Sequence, residues 1–177
     1  SITLYISKVE MGQGVHTSIK QIAGDELGVS WDAVAVKQGT TSQGPEDSSG
    51  TSGSTSVSSS FTPVREAAAT LAQLLRQEAA LQTGLPVDSL SIQDDGFADA
   101  DGVTRITFGE IVTNKTGEWE IPEEPAALKP LANLKLVGQP QQRVDIPAKV
   151  TGTAVYGYDA KLPGMKFGTI LRPPTLE

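Results

Sequence analysis

The feature that most limits the fold is a switch from strand spacing to helix spacing across a pair of glycines near the start of the chain. Ile2, Leu4 and Ile6 alternate with Thr3, Tyr5 and Ser7, the period of two of a half-buried strand. After Glu10-Met-Gly-Gln-Gly14, the apolar residues Val15, Ile19, Ile22, Ala23 and Leu27 return at helical intervals. They form one stripe, which Gly28 can end as a C-cap. A strand that feeds a helix through glycines calls for a sheet with helices laid on it.

Val34 and Val36 alternate behind Trp31 and Asp32 and predict a second strand over about 33–38. From Gly39 to Ser60, 17 of 22 residues are Gly, Ser or Thr, which by composition alone reads as a flexible linker. The clearest helix follows, with Thr62 as N-cap and Pro63 at the first position. Val64, Ala67, Ala68, Leu71, Leu74 and Leu75 share one face, and Gly84 closes it. Leu90–Ile92 and Val103–Ile106 read as strands, Asp94-Asp-Gly96 as a turn, and Phe108–Val112 as a short helix. Prolines at 122, 125, 130, 140 and 147 mark an extended connector from Thr116 onward. Ala154–Ala160 and Lys166–Leu171 predict two strands joined at Leu162-Pro-Gly-Met165.

The expected fold class is therefore α+β. A small mixed β-sheet carries two main helices, at about 14–28 and 62–83, on one face, with a Pro-rich arm and a C-terminal β-hairpin fragment behind them. The expected divisions are a binding domain over 1–115, a connector over 116–150 and the start of a β unit over 151–177. The chain opens directly on a strand pattern with no initiating Met, and Leu176-Glu177 resembles a cloning scar, so it reads as a piece of a longer protein.

Composition narrows the chemistry. A net charge of -7 with 14 Lys and Arg argues against a nucleic-acid or anionic-membrane surface, both of which need a basic patch. With no Cys and one His, the chain has neither a disulfide nor its own thiolate or multi-His metal site. A metal has to arrive inside a cofactor or take oxygen ligands. No apolar run reaches the roughly 18 residues of a membrane span.

Two segments carry the possible chemistry. Gly12-Gln-Gly14 precedes a helix, whose free N–H groups and positive end suit an anion that glycine lets approach closely. It lacks both the Walker A pattern and a third glycine at Thr17, so a plain tight turn stands level with a ligand loop. Gln13 adds an amide able to match the edge of a heterocycle. Gly50-Thr-Ser-Gly-Ser-Thr-Ser56 precedes the second helix and offers hydroxyls and N–H groups as a second cradle, against the linker reading. His16, alone in the first turn of a helix, reads as a hydrogen-bonded or solvated side chain. The acidic residues at 46–47, 94–95, 99, 101 and 118–124 occupy solvated positions, and no Gly-x-Ser-x-Gly elbow occurs.

The order "EMGQGVHT", "IAGDELGVSWDAVAV", "GTSGSTSVSSSFTPVREAAATLAQLL", "LPVDSLSIQDDG" and "ITFGEIV" resembles the cofactor-binding region of molybdenum hydroxylase large subunits. These are the xanthine dehydrogenase and aldehyde oxidoreductase family, here of the isoquinoline 1-oxidoreductase beta-subunit type. "VGQPQQRVDIPAKVTGTAVYGYDAKLPGMKFGTILRPP" is similar to the segment that leads into that family's hammerhead domain. The resemblance covers nearly the whole chain.

It implies a molybdenum held by the dithiolene of a molybdopterin, usually the cytosine dinucleotide in bacteria. Met11, Gly12, Gln13 and Gly14 would then take the pterin side, and Gly53, Ser54, Thr55 and Ser56 the phosphate or pterin. Thr17 and Ser52 are weaker candidates. The family hydroxylates aldehydes or N-heterocycles through a metal-bound hydroxide, with a glutamate base in a Gly-x-Gly-Glu motif, which this sequence lacks. Implied partners are the rest of the large subunit, a small subunit carrying the iron–sulfur clusters, and a small-molecule substrate. The implied compartment leans toward the periplasm, through a twin-arginine signal upstream. This chain alone is expected neither to turn over nor to bind cofactor tightly. The other reading open at this point is a non-catalytic interaction module with a Gly/Ser/Thr linker, which order across Gly39–Ser60 would disfavour.

Overall fold

A computed structural model describes residues 2–47, 50–93 and 95–175. The expectations for the Ser48-Ser49 step, for Asp94 in its turn and for Leu176-Glu177 lie outside the described residues. Strand β1 (Ile2–Ile6), helix α1 (Val15–Leu27) and strand β2 (Val34–Gln38) form a β-α-β crossover, with β1 and β2 parallel and Ile2 opposite Val34. Gly14 and Gly28, both at φ +80°, bound α1, because a left-handed turn at each end is cheap only for glycine.

Helix α2 (Ser56–Thr83) has 28 residues and closes at Gly84. It starts six residues before the expected Thr62 cap, so Thr62 is not an N-cap and Pro63 is the eighth helical residue. There Pro63 removes one N–H from the ladder, a loss that a helix already under way can absorb. Gly53 and Ser54, both left-handed at φ +66° and +56°, turn the chain early enough that the helix is established before the proline. Val64 packs on Ile6, Val15 and Ile19, and Ala68 on Leu27, Val29 and Val34, so α1 and α2 run in the same sense and start at the same end.

The remaining strands form a second sheet, β3 (Ser91–Gln93), β4 (Gly96–Ala98) and β5 (Thr104–Thr107), antiparallel in that order. The mixed sheet expected from the sequence is thus two small sheets, and β4 replaces part of the expected turn. At Gly96 a Cβ would lie 2.4 Å from the Ile106 carbonyl oxygen, so only glycine lets β4 and β5 close. Helix α3 (Phe108–Asn114) begins with a capping box between Thr107 and Glu110. Phe97 meets Phe108 edge to face at 5.6 Å, and with Leu75, Ala79, Leu90, Ile106 and Ile111 they form the core under the second sheet. Ile92 and Phe108 also touch the cluster beneath β2, joining the two sheets through α2.

The Pro-rich stretch is fastened along α1. Asp25 accepts the backbone N–H of Lys135, Leu136 and Val137 at 2.6, 2.8 and 2.6 Å. Glu26 accepts the Lys129 N–H at 2.6 Å and the Arg65 Nε at 2.8 Å, while Gln21 donates to the Leu136 and Gln139 carbonyls. Burial holds the Lys129 ammonium below its ordinary range, against the pull of Glu26 and Asp25. Proline fits such a strap because it has no backbone N–H that would need a partner.

Residues 2–144 form one compact unit and 145–175 a second. In the second, helix α4 (Ile146–Val150) is followed by turns, and the expected hairpin is not formed among the described residues. The Pro163-Gly164 turn does close, with Met165 donating to Leu162 at 3.1 Å. Its flanks stay unpaired, with Ile170 84% and Leu171 94% exposed, because a two-stranded ribbon with nothing against either face gains too little burial to hold.

Candidate functional site

The two sequence-selected loops lie side by side at the starts of α1 and α2. Lys8, buried at the end of β1, donates to Asp47 Oδ1 at 2.7 Å and to the Gly50 carbonyl at 2.8 Å. The Val9 N–H donates to Thr51 Oγ1 at 2.8 Å, and that hydroxyl donates to Asp47 Oδ2 at 3.1 Å. Val9 adjoins the Glu10–Gly14 loop and Thr51 the Gly53–Ser56 loop. Farther up the same tract the Gly39 N–H bonds the Ile6 carbonyl at 2.7 Å and Thr40 pairs with Gln43. In its described residues the Gly/Ser/Thr tract is therefore a shaped segment, which favours a formed loop over the linker reading. Its hydroxyls and amides take up backbone groups that a larger apolar side chain would leave unbonded.

Within the first loop, Met11, Gly12 and Gln13 are exposed and Gly14 is buried. The N–H groups expected to face a ligand anion are already occupied by a carboxylate of the same loop. Glu10 Oε1 accepts from Gly12 N and Gly14 N at 2.9 Å each, and Oε2 from His16 N at 3.3 Å. Gln13 folds back: its Oε1 accepts the Met11 N–H at 2.5 Å, and its Nε2 donates to the Val9 carbonyl at 2.8 Å. Each of those two atoms keeps one further hydrogen-bonding site toward solvent. His16 Nε2 lies 3.0 Å from the Lys8 carbonyl, a structural contact. Thr17 is buried with its Oγ1 accepting from the Val144 N–H, so it belongs to the strap and not to the loop surface.

The second loop is built in the opposite way. Gly53, Ser54 and Thr55 are exposed, Ser56 is buried, and Thr55 makes no capping bond to α2. The Thr55 hydroxyl donates instead to the Ser52 carbonyl at 3.2 Å. The first helical bond runs from Ser59 N to Thr55 O, which leaves the N–H groups of Ser56, Val57 and Ser58 outside the ladder. A 28-residue helix thus presents its positive end and three donors beside a Gly/Ser turn.

Two residues of this site escape the sequence reading. Glu10 stands just ahead of a helix start, where negative charge is favoured, and that position was a usable signal. Arg143 donates to the Gly12 carbonyl at 2.8 Å and approaches Glu10 Oε1 at 3.4 Å. It lies 131 residues from Gly12 in sequence, so local pattern could not find it. Among the described residues no group of three His, Asp or Glu side chains is placed to hold a metal ion, and no helix is long and apolar enough to cross a membrane.

The paired loops thus differ chemically: one is internally neutralised and one is open at a helix N-terminus. The model of the molybdopterin cofactor-binding domain family matches residues 1–153, and the chain belongs to that family. Over 94% of its length it is 38% identical to one of the subunits of nicotinate dehydrogenase from Pseudomonas putida, covering 14% of that protein. It is 35% identical over 98% of its length to the membrane-bound aldehyde dehydrogenase (pyrroloquinoline-quinone) of Gluconacetobacter polyoxogenes, covering 23% of it. To the beta chain of isoquinoline 1-oxidoreductase from Brevundimonas diminuta it is 29% identical over 94% of its length, covering 26%. The chain thus spans roughly a seventh to a quarter of these curated relatives.

Proposed function

We propose that these residues hold the pterin and phosphate portions of a molybdenum cofactor, in its cytosine dinucleotide form, within an oxidoreductase that hydroxylates an aldehyde or an N-heterocycle. What supports this reading most is the contrast between the two helix starts. The positive end of α1 already has its anion in Glu10, whereas α2 begins uncapped. The donor set fits the group. The N–H groups of Ser56, Val57 and Ser58, with the hydroxyls of Ser54 and Ser56, match phosphate oxygens. In the Met11, Gly12, Gln13 and Gly14 loop, where the Met11, Gly12 and Gly14 N–H groups are already bonded, the outward capacity of the Gln13 amide suits the polar edge of a pterin.

When bound, the cofactor supplies the metal at which the substrate carbon is oxidised. This chain's part is to bind and orient it. These residues hold no Cys and so no cluster of their own; we infer that electrons leave through iron–sulfur clusters on a partner subunit and that the chain by itself does not turn over.

The test replaces Gln13→Ala and, separately, Gly53→Val in the full-length protein. Gly53 sits at φ +66°, a backbone state that a β-branched residue adopts only with strain. Each variant should fold as the wild type does by circular dichroism while retaining a small fraction of its molybdenum and releasable pterin. Full molybdenum content in both would remove these loops from the cofactor site.

A further inference from the structure

The Gly12–Gly14 loop is held by two charged side chains that face each other through it. One oxygen of Glu10 receives the N–H groups of Gly12 and Gly14 at 2.9 Å and lies 3.4 Å from Arg143 Nη2, while Arg143 Nη1 donates to the Gly12 carbonyl at 2.8 Å. The guanidinium carbon would sit 3.8 Å from a Cβ at Gly14, so the side chain lies flat along the glycine. The two nitrogens of one planar fork thus bridge the loop's carbonyl and the carboxylate in its amide nest. A lysine has one donating nitrogen in place of this planar two-nitrogen fork, so it cannot reproduce the bridging geometry.

We propose that Glu10 and Arg143 are positioning residues for cofactor binding. Glu10 takes the place of a ligand anion in the amide nest of the Gly12–Gly14 loop, and Arg143 locks it there. This rests on the cofactor reading above and adds a division of labour to it. A phosphate entering the first nest would have to displace a carboxylate that three N–H groups already hold, and would meet its charge. The first loop therefore offers its ligand neutral groups, chiefly the outward capacity of Gln13, and the phosphates go to the uncapped start of α2. Arg143 also ties the strap to the site: residues 135–137 are bonded to Asp25 and Val144 to Thr17, which fixes where the guanidinium can reach.

The experiment uses the full-length protein with Arg143→Lys and Arg143→Ala, reading molybdenum and pterin per protein beside circular dichroism and melting. Arg143→Lys keeps the stem and the charge and should fold, yet hold at least about tenfold less cofactor, the loss expected when a bidentate charged contact goes. Arg143→Ala should lose as much, and guanidinium ion at low millimolar concentration during cofactor loading should restore part of it. Wild-type molybdenum content in both variants would overturn the proposal. So would loss of fold in both without guanidinium rescue, which would make Arg143 a structural residue alone. Absence of pterin from the wild-type protein would instead overturn the cofactor reading, and this inference with it.

Discussion

At Asp25 a single carboxylate accepts three backbone N–H groups from the strap while only 6% exposed. Asp25 and Glu26 stand in the last turn of α1, the negative end of the helix dipole, where acids are disfavoured. Two acids there, with no base in that turn, were the legible sign that something else offsets their cost. Apart from Arg65, which reaches Glu26 from α2, what bonds them lies more than 100 residues away, beyond any local pattern. Asp25→Ala removes the common acceptor and leaves three N–H groups short of a partner. We expect a loss of about 3 to 5 kcal/mol, measured by urea unfolding. A loss below about 1 kcal/mol would show that the strap does not depend on this carboxylate. The same separation in sequence hid Arg143, whereas Gly12, Gln13 and Gly14 were visible because glycine before a helix has few local explanations.

Single elements are legible where periodicity and punctuation agree. β1, α1 and β2 fall where alternation, the helical stripe and the bounding glycines put them. The start of α2 is not so legible, because Pro63 has the look of a boundary although a turn set earlier by Gly53 and Ser54 has already begun the helix. β4 is hidden because its three residues, Gly96–Ala98, are all buried and carry no alternation. The C-terminal hairpin was expected from alternation alone, and alternation does not supply a surface to pack on. Helix α3 was found, and its capping box makes it sensitive to acid. Hydrogen bonding from the Thr107 backbone, then from its hydroxyl, lowers the Glu110 pKa against burial. A depressed carboxylate contributes stability that is present above its unfolded value and lost as pH falls through the folded one. Glu110→Gln should therefore lower stability at neutral pH by what the carboxylate contributes there, and flatten the wild type's decline below the ordinary glutamate range so that the two converge in acid. An unchanged acid limb in chemical unfolding at stepped pH would show that the box carries no such linkage.

At the scale of the whole molecule, the parallel pair α1 and α2 does what neither loop does alone. It brings two glycine-bearing loops to one end, joined through Lys8, Val9, Asp47 and Thr51, and the strap brings Arg143 back to the same end. The family was legible in the order of short motifs, since each is common and their succession is not. The partition of charge between the loops was not legible, because it depends on Glu10 turning into its own nest. The most direct test is a structure of the full-length protein with its cofactor bound. We predict phosphate oxygens within hydrogen-bond distance of the Ser56, Val57 or Ser58 N–H groups, the pterin against Gln13, and Glu10 still bonded to Gly12 and Gly14. A phosphate seated in the Gly12–Gly14 nest with Glu10 expelled, or a cofactor that touches neither loop, would contradict it.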